Sequence, residues 1–135
     1  MTTAQLTAET FDRVVGSEGV VLVEWRASGD YDGKLAAPVF EAASHHHTDV
    51  QFAVVDTQAQ PELAADVGIV SFPTLTAFRD GVRVFAMPGT LTLPILDRLI
   101  KAIRDLDMDE VRRHGPPRSN RLLTVVGCAV QQQPT

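Results

Sequence analysis

Val55-Asp56-Thr57-Gln58-Ala59-Gln60-Pro61-Glu62-Leu63-Ala64-Ala65-Asp66-Val67-Gly68-Ile69-Val70-Ser71-Phe72-Pro73-Thr74-Leu75-Thr76-Ala77-Phe78-Arg79-Asp80-Gly81 is the run on which the fold is read. It opens on the end of an apolar, β-branched stretch over residues 50–56 that reads as a strand. Pro61 then starts a short helix, since proline in a first turn gives up no hydrogen bond, and Gly68 ends it. Residues 74–78 and 82–85 are two further strands, and Asp80-Gly81 between them is a strong hairpin turn.

Upstream, Thr7 is placed to cap a first helix carrying Phe11, Val14 and Val15 at helical spacing. Val20-Val21-Leu22-Val23-Glu24-Trp25 is short and almost wholly apolar, the pattern of a strand buried on both faces. A polar turn over residues 28–33 precedes a helix from about Lys34 to His46, with Pro38 expected to bend it. Downstream, Thr92 caps a last helix with the stripe Ile95, Leu96, Leu99, Ile100, Ile103 and Leu106. The order is α, β, α, β, α, β, β, α. Helices between the first strands imply parallel crossovers, and the hairpin adds antiparallel strands. The fold class is α/β, a mixed central sheet with helices on both faces.

This order, with the 55–81 run at its centre, resembles a thioredoxin over residues 6–107. The resemblance implies a thioredoxin-like fold and a cis peptide at Phe72-Pro73. Gly89 matches the family glycine beside the substrate groove, and Lys34 and Pro38 match the lysine and proline of the active-site helix. Glu24 stands where the family keeps a buried acid beneath its cysteines. The departure is at the reactive centre. Where the family has Trp-Cys-Gly-Pro-Cys-Lys, this chain reads Gly29-Asp30-Tyr31-Asp32-Gly33-Lys34. Arg26 replaces the other family tryptophan.

Thiol–disulfide exchange needs an attacking thiolate and, for turnover, a resolving thiol. Asp30 and Gly33 occupy those two positions, and neither can form a disulfide. The expected function is therefore that of a redox-inactive thioredoxin-like protein, not an enzyme. It would hold a protein or extended peptide in the groove, as an adaptor or chaperone-like factor. Asp30, Tyr31, Asp32, Gly33, Phe72, Pro73 and Gly89 are the candidate binding residues. Two alternatives stand beside it: a thioredoxin-type oxidoreductase role in redox homeostasis, and an assembly subunit pairing through its C-terminal tail.

Composition narrows the classes. Twelve Lys and Arg against 17 Asp and Glu leave a net charge of −5, which disfavours nucleic acid. Cys128 is the only cysteine, excluding an intrachain disulfide, a Cys-rich zinc site and any two-thiol cycle. No apolar run reaches the roughly 20 residues that span a bilayer. The N-terminus has no basic region followed by an apolar stretch, so no signal peptide is read and a cytoplasmic location is expected. All 17 acids lie at or before Glu110, whereas Arg112, Arg113, Arg118 and Arg121 follow without one. With the breaker-rich run over residues 114–120, this places a domain boundary near residue 111. Residues 112–135 are then expected as a basic, flexible tail, whose apolar part (residues 122–130) reads alternatively as an added strand or docking peptide. Cys128 leaves open a homodimer linked through the tail.

No cofactor is expected. His45-His46-His47 cannot all reach one metal while helical, because successive side chains diverge by about 100°. They read as a cationic helix end, with a loose site at Asp49 or a pH-sensitive surface as weaker alternatives. Asp30-Tyr31-Asp32-Gly33 opens like a calcium loop but lacks the later oxygen ligands, so no metal site is assigned.

Overall fold

The computed structural model describes residues 3–27, 31–119 and 121–122, with only the backbone over residues 31–36. In chain order the elements are β1 (Thr3–Gln5), α1 (Ala8–Val15), β2 (Val20–Arg26), α2 (Tyr31–His46), β3 (Gln51–Asp56), α3 (Pro61–Val67), β4 (Thr74–Arg79), β5 (Val82–Pro88), α4 (Leu93–Arg104) and α5 (Met108–His114). The sheet runs β1-β3-β2-β4-β5. The first three strands in that order are parallel, and β4 and β5 are antiparallel. This is the mixed sheet expected from the element order.

The continuous apolar run of β2 is explained by its central place. Val20 and Leu22 face a core shared with Phe40 of α2 and Leu96, Leu99, Ile100 and Ile103 of α4. Val21, Val23 and Trp25 face the other core, with Phe11 and Val15 of α1 and Leu63 of α3. A period-two strand covered by helices on both sides has no polar face to display. Trp25 settles its one polar atom by donating from Nε1 to Thr76 Oγ1 at 3.0 Å.

Several expectations need correction. Two elements go beyond the sequence reading. β1 is only three residues long and adds to the outer edge of β3. α5 is capped by Asp107, whose carboxylate accepts the backbone N–H groups of Asp109 and Glu110 at 3.0 and 3.3 Å. α2 begins at Tyr31 rather than Lys34, so Tyr31, Asp32 and Gly33 are its first turn and not a loop. An acid favours that end of a helix. Thr92 holds the N-cap position of α4 by its backbone, without a capping hydrogen bond from its hydroxyl. α5 also crosses residue 111, the boundary expected from the charge pattern. Beyond it, Leu122 is 5% exposed and joins the α4 core, so the chain to Leu122 belongs to the folded unit. Residues 123–135, with Cys128, lie outside the described residues.

Candidate functional site

The site forms where three strands end together. Trp25 of β2 registers with Thr74 of β4, and Thr74 with Pro88 of β5. The loop before β4 therefore lies beside the end of β2. Its Phe72-Pro73 peptide is cis. Thr74 Oγ1 donates to the Ser71 carbonyl at 2.7 Å, and the Gly89 N–H donates to the Pro73 carbonyl at 2.8 Å. Gly89 adopts φ +96°, a conformation L side chains rarely take, which makes glycine the residue for this position. Pro73 is buried while Phe72 is 37% exposed. Val70, two residues earlier, is 91% exposed. Val70 and Phe72 are the exposed large apolar side chains recorded among the described residues.

Below this loop sits Glu24. It is 5% exposed and accepts from Arg26 Nε, two residues along the same strand face. The guanidinium lies 5.9 Å from the centre of the Phe40 ring. Burial raises the Glu24 pKa above its ordinary value, and the hydrogen bond and charge of Arg26 offset this only in part. Glu24 and Gly89 line the same small cavity, with Phe40, Leu75, Leu91 and Leu96. Its volume of about 20 Å³ is room for one water molecule. Arg26 as counter-ion and Val70 as exposed apolar neighbour are the two residues that sequence reasoning missed. The alternation of β2 carried the first signal, since positions 24 and 26 share a face.

Of the seven candidate binding residues, Phe72, Pro73 and Gly89 come together in one loop contact. Tyr31, Asp32 and Gly33 form the start of α2, described by its backbone. Asp30 lies outside the described residues. The histidine run is divided among carboxylates. His45 is 3.5 Å from Glu41, and His46 and His47 lie 3.4 and 2.7 Å from Asp97. Asp49 is taken by Arg104 Nη2 at 2.6 Å, which also donates to His47 Nδ1 at 3.1 Å. Among the described residues no group of three His, Cys, Asp or Glu side chains could hold a metal ion. No helix among them is long and apolar enough to cross a membrane.

Comparison with known proteins agrees with this geometry. The family model described as Thioredoxin matches residues 2–104. A Streptomyces coelicolor protein named "Putative thioredoxin 2" is 45% identical over 111 residues, 82% of this chain and 83% of that protein. A thioredoxin of Porphyra purpurea is 29% identical over 72% of this chain and 92% of its own. Among solved structures, a mutant thioredoxin from Halobacterium salinarum superposes with a TM-score of 0.71 at 27% identity, covering 78% of this chain and 93% of that one. The chain belongs to the thioredoxin family.

Proposed function

We propose that this protein is a redox-inactive thioredoxin-like binder that holds an extended peptide segment of a partner protein against the Phe72-Pro73 loop. The observation that carries this reading is the pairing of two facts. In sequence, the positions that match the family's two thiols read Asp30 and Gly33, yet the loop before β4 keeps exposed apolar side chains at Val70 and Phe72. A thiolate cannot be replaced in disulfide exchange by a carboxylate or a hydrogen atom. Shape, apolar contact and backbone pairing need no thiol. A cytoplasmic setting goes with this reading, because one cysteine in 135 residues suits a reducing compartment.

The test is titration of extended apolar peptides followed by amide chemical shifts and calorimetry. Binding should perturb the amides of Val70, Ser71, Phe72 and Gly89, and Phe72→Ala should weaken it about tenfold. Equal affinity for the wild type and Phe72→Ala would refute the groove.

The names of the relatives favour a second reading, a thiol–disulfide oxidoreductase. It requires turnover of insulin disulfides with dithiothreitol that is lost in Cys128→Ser. The first reading expects no turnover from either protein.

A further inference from the structure

β5 pairs with β4 on one side only and is an edge of the sheet. Such an edge offers unpaired N–H and C=O groups to any second strand, and folded chains commonly block it. Here the block is built from the chain beyond α5. Ala86 registers with Thr76, but its N–H is donated away from β4, to Ser119 Oγ at 2.8 Å. Two residues on, Pro88 has no N–H to offer. Ser119 is presented by a turn in which the N–H groups of Arg121 and Leu122 both donate to the Arg118 carbonyl, at 3.0 and 3.2 Å. Leu122 is buried in the core cluster that contains Val84 and Phe85 of β5 and Leu99 of α4. Gly115 at φ +84°, followed by Pro116 and Pro117, ends α5.

We infer that this chain carries its own strap across the β5 edge: Ser119 Oγ stands in for the carbonyl of a sixth strand, Leu122 is the anchor, and together they keep β5 from pairing with β5 of a second copy. The self-pairing it prevents is chemically available. β5 reads Val82-Arg83-Val84-Phe85-Ala86-Met87-Pro88, with Arg83 its single charge. Antiparallel pairing of two identical edges closes by two-fold symmetry. α5 and its extension lie outside the stretch that the family model matches.

Hydrogen exchange on the full chain, with sedimentation at several concentrations, tests this. Ser119→Ala should speed exchange at the Ala86 amide about tenfold. The Phe85 and Met87 amides should be unaffected, and Ser119→Thr, which keeps the hydroxyl, should restore protection. Leu122→Asp should free the same amide and produce a concentration-dependent dimer; Leu122→Ser is the milder form should the charge prevent folding. Unchanged exchange at Ala86 in Ser119→Ala would overturn the strap. A Leu122 variant that exposes Ala86 yet sediments as a monomer at every concentration would overturn pairing with a second copy.

Discussion

A carboxyl group buried at the end of a central strand can give up its charge or find a counter-ion, and Glu24 does some of each. Its pKa is raised by desolvation and only partly lowered by Arg26, so the folded chain keeps this proton to a higher pH than the unfolded chain does. Below the ordinary value of 4.5 both states are protonated and the group contributes no pH dependence. Between 4.5 and the higher folded value the folded state binds more protons, so stability falls as pH rises through that window and levels off above it. This is the reverse of the usual salt-bridged acid. Glu24→Gln removes the loss. Its stability relative to wild type should grow across the window and then stay constant, measured by urea unfolding at a series of pH values. A pH-independent difference would mean the charge is not buried. At this scale the sequence is legible where a pattern repeats. Glu24 is conspicuous as the one charge inside an apolar run, and Arg26 follows at strand period. Val70 has no such period around it, because a loop side chain is exposed or covered according to contacts made far along the chain.

Elements differ in how much of themselves they announce. β2 is legible because burial on both faces removes every polar position but Glu24 and the half-buried end residue Arg26. β1 is not, because three residues carry no period and its place is set by the free edge of β3. α5 lies between these cases. Its two buried residues, Met108 and Val111, are too few for a stripe, but Asp107 ahead of them is an N-cap residue whose carboxylate takes two backbone donors. Asp107→Ala should cost about 1 kcal/mol in chemical denaturation. A cost near zero would show that tertiary packing alone holds α5. The C-terminal end of α4 is closed from a strand instead. Arg79 of β4 donates from Nη1 to the carbonyls of Ile103, Arg104 and Leu106, at 2.7, 2.8 and 3.4 Å. A guanidinium at a helix C-terminus meets both the orphan carbonyls and the negative end of the dipole. Arg79→Ala should destabilise by about 2 kcal/mol in the same experiment. Arg79→Lys should recover only part of it, because lysine has no Nε to keep the ion pair with Asp80 Oδ2 at 3.6 Å and its ammonium is the more strongly hydrated group.

For the molecule as a whole, the proposed redox-inactive reading asks whether the scaffold itself could still support disulfide exchange. The mixed sheet flanked by helices is the fold of the family, and α2 begins at Tyr31, one residue in sequence past Asp30, which the resemblance matches to the attacking thiol. A cysteine introduced at residue 30 would directly precede the first residue of α2 in the chain, and a helix N-terminus favours a thiolate. If only sulfur is missing, chemistry should return in two separable steps. Asp30→Cys alone should attack a disulfide and stall as a long-lived mixed disulfide, because Gly33 cannot resolve it. Asp30→Cys with Gly33→Cys should turn over insulin with dithiothreitol, while the wild type does not. The intermediate case decides most. A single variant that traps substrate shows that the helix start, the loop and the groove still converge on one reacting atom. A double variant that neither traps nor turns over would mean that more than the two thiols separates this site from an active one, and the peptide-binding reading would then have to stand on Val70 and Phe72 alone.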